Sequence, residues 1–365
     1  MVNEPQLRAA IVGLRNHAGS LDPAKNHGLI KSFKAQPAVD IVAYCEWEPA
    51  EQLALAALQT ADPTARVYTD LADLLANENF DLAVILLPPN EVTPAALRLA
   101  AAGKHLFIEK QAARTAAELR PLCDLVAANK LVAQIGYPWP YNPEAIAIKR
   151  YLEQGILGRL VDIEARLVTL GVGPGLRDPQ QWMYRVASEG GGILHMEGGH
   201  WLTLFRFFSQ AEVKSVTALC QRVIGKIEDG LEDVVTVALE FTNGLHACLH
   251  MGYLLPGVGP RNDMQIILRG TQGNVTWPNP GAGEFTVASA APAWQSAPVR
   301  SFQLQHAARP VYADQWGYEF VAAFIHAIQT GEPPPLTLED GYRVLQIIDA
   351  AYTSSREGRR VTLEQ

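Results

Sequence analysis

No apolar stretch in this sequence approaches the ~20 residues needed to span a bilayer. Its opening, MVNEPQLRAA, lacks the charged-then-apolar pattern of a secretory signal. Cysteine is scarce. Cys45, Cys123, Cys220 and Cys248 lie far apart with no Cys-x-x-Cys pair. That spacing suits reduced thiols in a cytoplasm, not a disulfide framework or a structural zinc site. Basic clusters are missing as well. Apart from REGRR near the end, Lys and Arg are scattered and the formal net charge is -8, which argues against a surface built to neutralise nucleic-acid phosphates. There is no internal repeat and no low-complexity tract. What is left is a globular chain, expected in the cytoplasm, with no nucleic-acid or membrane partner. Its 365 residues, 48% of them hydrophobic, allow two domains of roughly 100–200 residues each.

Up to residue 136 short apolar strands alternate with amphipathic helices. LRAAIVGL, VDIVAYCE, DLAVILLP, KHLFIEK and LVAQIGY read as strands; HGLIKSFKA, PAEQLALAALQT, LADLLANE, TPAALRLAAAG and RTAAELRPLCDLVAANK read as helices. Such alternation implies a parallel sheet with helices on both faces, doubly wound by right-handed crossovers. After Tyr137 the grammar changes. The helix PEAIAIKRYLEQG stops at Gly155, and LVDIEARLVTL, VKSVTALCQRVI, EDVVTVALEFTNGLHACLHMGYLL, DMQIILRG and GNVTWP follow as strands. FTNGLH carries an Asn-Gly hairpin signal between two apolar alternations. PNPGAGEFTVASAAPAWQSAP reads as an irregular surface excursion, and GYEFVAAFIHAIQTG and LEDGYRVLQIIDAAYTSSREG close the chain as helices. The expected organisation is an α/β dinucleotide-binding domain over 1–136 and an α+β domain with an antiparallel sheet over 137–365.

Four local features carry chemistry. The first is IVGLRNHAGS, where a G-x-G-x-x-G phosphate loop would sit. Gly13 can supply the tight turn, Arg15 holds the second glycine's place, and Ala18 followed by Gly19 holds the third's. An outward Arg15 can meet a pyrophosphate through its charge instead of through close backbone approach. The second is Glu46, ending VDIVAYCE, where a carboxylate accepts ribose hydroxyls of NAD and repels a 2′-phosphate; an ordinary acidic strand end is the plainer reading. Trp47 beside it suits either an adenine contact or packing. The third is Lys110, delivered by HLFIEK to the edge where doubly wound folds bind ligands, able to stabilise a developing alkoxide; a solvated lysine is the alternative. The fourth is SEGGGILHMEGGHWLTLFRFF. Its glycines permit close approach before a helix, on which Glu197 and His200 meet at i, i+3. His200 can act as general base with Glu197 holding its ring; a partly buried structural histidine is the alternative. His246 with His250, and His195 with His200, do not complete a metal site.

These features in this order resemble the Gfo/Idh/MocA family of oxidoreductases, nearly end to end. DLAVILLPPNEVTPAALRLAAAGKHLFIEKQ is similar to the family segment ending GKHV-x-x-EKP, and IGYPWPYNPEAIAIKRYLEQGILGRLVDIEARL to the opening of its second domain. GGGILHMEGGH is similar to its GGG-x-L-x-D-x-G-x-H. The resemblance implies a Rossmann domain and then an α/β domain whose large open, mainly antiparallel sheet forms a homodimer or homotetramer. It implies NAD, with NADP less favoured, and reversible oxidation of a hydroxyl on a sugar, sugar acid or cyclitol. Residue by residue, Lys110 and Glu109 match the Glu-Lys-Pro motif, Pro89 and Asn90 a turn near the cofactor, and His200 the acid/base histidine. Tyr184 and Arg185 fall where substrate contacts are frequent.

The departures are Gln111 for the motif's proline, whose peptide bond is often cis, Met196 for an aspartate, and Thr203 for another. A cis bond before a non-proline residue is costly, so the expectation at Gln111 is a trans bond or a cis bond held in place. Catalysis is assigned to Lys110, His200 and Glu197, and cofactor binding to Gly13, Arg15, Glu46, Pro89, Asn90 and Glu109. Two alternatives stay open: a redox-neutral NAD-assisted sugar lyase or hydrolase, and a non-catalytic ligand-binding or regulatory relative.

Overall fold

The computed structural model describes residues 6–15 and 28–364. They fold as two units: one comprises the chain up to Pro138 together with Ala307–Tyr342, the other Trp139–His306 and the chain from Arg343.

In the first unit, strands β1 (Leu7–Val12), β2 (Val39–Cys45), β3 (Arg66–Tyr68), β4 (Leu82–Ile85), β5 (His105–Ile108) and β6 (Ala133–Ile135) alternate with helices α1 (Leu29–Lys34), α2 (Gln52–Ala61), α3 (Leu71–Asn77), α4 (Pro89–Ala101) and α5 (Ala116–Ala128). All the strand pairs are parallel, in the order β3-β2-β1-β4-β5-β6. That is the dinucleotide-fold order, with its switch point between β1 and β4. The strands read as apolar runs because both faces are covered: every residue of β4 is buried. Local chemistry sets the helix starts. The Asp70 carboxylate accepts from Ala72 N at 2.5 Å and Asp73 N at 3.2 Å, and Thr115 Oγ1 accepts from Glu118 N at 3.2 Å.

The second unit carries helices α6 (Pro143–Glu153), α7 (Val186–Glu189) and α8 (Ile193–Ser209) with strands β7 (Leu160–Leu170), β8 (Val213–Gln221), β9 (Val234–Phe241), β10 (His246–Leu255), β11 (Asn262–Gly270), β12 (Gly273–Pro278), β13 (Glu284–Ser289) and β14 (Val299–Gln303). With β15 (Val361–Thr362) they make a nine-stranded sheet in the order β14-β13-β12-β11-β7-β10-β9-β8-β15, mixed but mostly antiparallel, with β7 and β10 the parallel pair. Helix α8 packs on the face presented by β7, β9 and β10. Inward Val235, Val237, Leu249, Met251, Ile163 and Ala165 are buried there. The opposite face carries ion pairs, Arg269 with Asp162 at 2.5 Å and Glu164 at 2.9 Å, and Arg166 with Asp263 at 2.9 Å. The Asn-Gly signal is a hairpin: Gly244 has φ +81°, β9 and β10 pair antiparallel across it, and Asn243 Oδ1 accepts from Leu245 N at 3.1 Å.

Two expectations are corrected. The expected second domain ran from 137 to the end, yet Ala307–Tyr342 belongs to the first unit. The reason is aromatic packing: α9 (Asp314–Thr330) sets Phe320 and Phe324 against Phe107, with ring centroids at 5.8 and 5.6 Å, and Phe324 against Phe33 at 6.4 Å. The last long helix, α10 (Leu338–Glu357), starts in that unit and ends in the other. The excursion expected after Trp277 is also ordered, since β13 pairs with both β12 and β14. Its Phe285, Val287 and Ser289 alternate inward, a period that the surrounding Pro and Ala conceal.

Candidate active site

At the carboxyl edge of the parallel sheet, β1 ends in a turn that only glycine fits. Gly13 has φ +88°, and a Cβ there would lie 2.5 Å from Leu87 Cδ2 and 2.8 Å from Leu86 O. The amides of this turn are taken up within the protein: Gly13 donates to Cys45 O at 2.8 Å and Leu14 to Glu46 Oε2 at 2.8 Å. Glu46 is wholly buried. Its Oε1 accepts from Glu48 N at 2.8 Å, and Oε2 also takes Arg15 Nε at 3.3 Å. In place of a carboxylate presented to ribose hydroxyls, the structure has one that ties the first two βα turns together. A buried charge is tolerated here because backbone amides and a guanidinium satisfy it. Ala18 and Gly19 lie outside the described residues.

Arg15 sends its guanidinium across to α4. Nη1 and Nη2 donate to Glu91 Oε1 and Oε2 at 2.5 and 2.7 Å, a two-bond fork. Trp47 Nε1 donates to Glu91 Oε2 at 2.8 Å, and the guanidinium carbon lies 5.9 Å from the Trp47 ring centroid. Burial works against the Arg15 charge, but the bond to Glu91 and the charges of Glu46, Glu91 and Glu48 outweigh it and raise its pKa. Burial also works against the Glu91 charge, and its bonds to Arg15 and Trp47 outweigh that and hold its pKa below the ordinary value. A depressed carboxyl stabilises the fold fully above its unfolded value, about 4.3, and loses that contribution as pH falls through the lower folded value. The Arg15–Glu91 fork is therefore expected to open only below the usual glutamate range. Tryptophan fluorescence during acid titration checks this: a transition in that window should be present in the wild type and missing from E91Q, and its persistence in E91Q would refute the assignment.

Pro89 is the first residue of α4 and Asn90 the second. Asn90 Oδ1 is buried with no hydrogen-bond partner among the described residues. Beyond β5, Glu109, Lys110 and Gln111 are all buried, and the Lys110–Gln111 peptide bond is cis. Tyr137 Oη donates to Gln111 Oε1, and Thr93 Oγ1 on α4 donates to Ala112 O at 3.0 Å. Glu109 packs so closely against Gly136 that a Cβ there would overlap its carboxylate. Lys110 thus stands at the end of β5 on the same sheet edge as Gly13 and Asn90.

In the second unit the glycine run lets the chain touch its neighbours. A Cβ on Gly191 would overlap Tyr352 Oη, and one on Gly192 the Glu232 carbonyl oxygen. Glu232, buried just before β9, caps α8: it accepts from Gly192 N and Leu194 N at 2.8 Å each and from Tyr352 Oη at 3.1 Å. Burial raises its pKa, against the pull of those donors. On α8, His200 is 8% exposed. His195 is sealed, its Nδ1 2.7 Å from Glu189 Oε1. Met196 is buried and the Thr203 hydroxyl donates to Gly199 O at 2.7 Å, so both departures from the aspartate pattern are absorbed by packing. The Glu197 charge is felt by Arg177, Tyr184 and Tyr253. The Arg177 guanidinium lies 5.4 Å from the Tyr253 ring centroid and donates to Thr169 Oγ1 at 2.9 Å, and its charge is felt by the buried Tyr184 hydroxyl. Tyr184 and Tyr253 are edge to face at 5.7 Å. Arg185 is half-buried and donates to Gln180 Oε1.

Residues 7–137 match the model described as oxidoreductase family, NAD-binding Rossmann fold, and residues 146–276 match the GFO/IDH/MocA C-terminal domain. The chain belongs to the Gfo/Idh/MocA oxidoreductase family. An uncharacterised oxidoreductase of Schizosaccharomyces pombe is 30% identical over 241 residues, spanning 63% of this chain and 61% of that protein. An inositol 2-dehydrogenase of Rhizobium meliloti is 25% identical over 296 residues, 79% of this chain and 82% of that one. The structure of levoglucosan dehydrogenase in complex with NADH and levoglucosan superposes with a TM-score of 0.83 at 21% identity, covering 99% of this chain and 100% of that one, a likeness of fold.

This Gfo/Idh/MocA oxidoreductase carries an NAD-binding domain, and the residues on its sheet edge suit that cofactor. Gly13 turns the chain tightly against Leu86 and Leu87 where β1 ends, and Asn90 Oδ1, where α4 begins, is buried with no partner among the described residues. The carboxylates of Glu46, Glu48 and Glu91 surround the end of β2. The motif reading did not name Glu91, Glu232, Arg177 or Tyr253. Arg15, expected to face a pyrophosphate, is the one sequence signal that bears on Glu91, its partner in the structure.

Proposed function

We propose that this Gfo/Idh/MocA oxidoreductase reversibly oxidises one hydroxyl of a sugar, sugar acid or cyclitol. The observation that carries the reading is Lys110: a buried lysine at the carboxyl end of β5, with the adjoining segment pinned to α4 through Thr93. Bound NAD supplies the hydride-accepting nicotinamide. To Lys110, in the first unit, we assign the hydroxyl oxygen of the reacting carbon, whose developing negative charge a fixed ammonium stabilises. To His200, in the second, we assign the hydroxyl proton. Glu197 keeps an electrostatic part through the Arg177–Tyr184–Tyr253 cluster, and Arg185 and Tyr184 stay assigned to substrate contact, Tyr184 by way of Arg177. Relatives that are named inositol 2-dehydrogenase and levoglucosan dehydrogenase support a cyclic polyhydroxylated substrate. We also propose a cytoplasmic location, supported by four unpaired cysteines, and a homodimer or homotetramer formed through the nine-stranded sheet. No helix among the described residues is long and apolar enough to cross a membrane.

The test is NADH formation over a panel of aldoses, sugar acids, cyclitols and anhydrosugars, with K110A alongside. At least one compound should be turned over by the wild type, and K110A should lose roughly 10²–10³-fold in kcat, the size of one electrostatic donor. NAD binding with substrate consumed but no NADH accumulating would replace this reading with a redox-neutral reaction. NAD binding with no compound consumed would favour a binding protein.

A further inference from the structure

The place where a dinucleotide loop would carry its second glycine is filled by Arg15, and Arg15 is far from idle. Its guanidinium bridges three separate turns of the first unit. It leaves the turn after β1, reaches Glu46 at the end of β2 at 3.3 Å, and forks onto Glu91 in the first turn of α4 at 2.5 and 2.7 Å. Trp47, from the turn after β2, locks the far oxygen of Glu91 at 2.8 Å. Glu48 Oε2 lies 3.9 Å from Arg15 Nη1. The bridge therefore crosses the β1/β4 switch point, where a doubly wound sheet binds its ligand. The Arg15 side chain is only 9% exposed, so the fork is shielded from the screening that weakens surface pairs.

The charges do not balance. Three carboxylates face one guanidinium, and the guanidinium is fully engaged. A cofactor with free ribose hydroxyls brings no further charge to this cluster. A cofactor with a 2′-phosphate, carrying a charge of about -1.5 to -2, meets carboxylates whose ion-pair partner among the described residues, Arg15, is already forked to one of them. Arginine is otherwise the residue best shaped to fork onto a phosphate.

We propose that Glu91 sets cofactor choice by holding Arg15 away from a 2′-phosphate, so that the Arg15–Glu91 fork, more than Glu46, makes this chain prefer NAD. Glu46, buried beneath the turn and satisfied by two amides, holds the turn in shape; Glu91 holds the cation. The proposal rests on the NAD reading. Removing the Glu91 charge frees Arg15 and lowers the local negative charge together, and both changes favour the phosphate.

The experiment is calorimetric titration of the full-length protein with NAD and NADP, no substrate present, for wild type, E91Q, E48Q and the double variant R15Q/E91Q. The wild type should bind NAD at least tenfold more tightly than NADP. E91Q should tighten NADP at least tenfold with NAD changed less than threefold, and R15Q/E91Q should return NADP to the wild-type affinity or weaker. E48Q, at a half-exposed carboxylate, should shift the ratio the same way by about threefold, and it carries the test if E91Q does not fold. If the wild type binds NAD but the NADP/NAD ratio is the same in E91Q, or in E48Q where that stands in, the fork is only structural and the proposal falls. An E91Q gain that survives in R15Q/E91Q overturns it too, since the effect would then be loss of repulsion without Arg15. If the wild type binds neither cofactor, the NAD reading and the fork's role in it fall together.

Discussion

Replacing His200 by alanine is expected to lower kcat by about 10²–10⁴-fold, the range that a positioned general base contributes, while the affinity for NAD stays within twofold. The two readouts separate because His200 lies on α8 in the second unit and the cofactor turns lie in the first. A base must be neutral to accept a proton, so the wild-type rate falls on the acid side. That limb should vanish from the residual rate of H200A. Added imidazole should restore part of the activity, which a purely structural histidine would not allow. The neighbouring His195 is the internal control. It is buried against Glu189 at 2.7 Å, so H195A should act through stability, by the ~1–3 kcal/mol of a stranded buried carboxylate, and leave the acid limb in place. Full turnover by H200A would remove the proton-transfer assignment and leave Lys110 as the one catalytic group proposed.

The contrast between these two histidines shows how far the sequence could be read. The glycines, the helix after them and the histidine on it were legible, because glycine runs and helical spacing are local signals. The distant groups that a carboxylate acts on were not: the field of Glu197 reaches Arg177, Tyr184 and Tyr253, none of which is near it in the chain. The first sheet was legible for the same local reason, as strand and helix periods alternate there. The return of Ala307–Tyr342 to the first unit was not, since it depends on Phe33 and Phe107 meeting Phe324, far along the chain. Arg15 and Glu91 are 76 positions apart. No window of local pattern contains both, and only the fold order that sets β1 beside β4 brings them together. Motif matching identified Glu46 as the carboxylate of interest, and in the structure its oxygens are spent on the protein's own amides.

Gly192→Ala is expected to cost about 3 kcal/mol or more. A methyl there would overlap the Glu232 carbonyl oxygen, with the Glu232 carbonyl carbon and nitrogen at 2.7 Å. These are backbone atoms, which cannot rotate away, so the expected cost lies at or beyond the ~1–3 kcal/mol of ordinary overpacking. Moving the chain apart would also break the Glu232 cap on the amides of Gly192 and Leu194, charge-assisted bonds worth roughly 1.5–3 kcal/mol each. For a unit of this size the melting transition should fall on the order of 10 °C. Gly155→Ala is the comparison. Its φ is +69° with nothing within 4 Å of a new Cβ, so it should cost only the left-handed penalty of about 1–2 kcal/mol. If the two variants melt together, the overlap with Glu232 is relieved by a small shift of the chain and the close approach matters little. If G192A melts far below G155A and also loses turnover while still binding NAD, the close approach of Gly192 to Glu232 is what seats α8, and His200 with it.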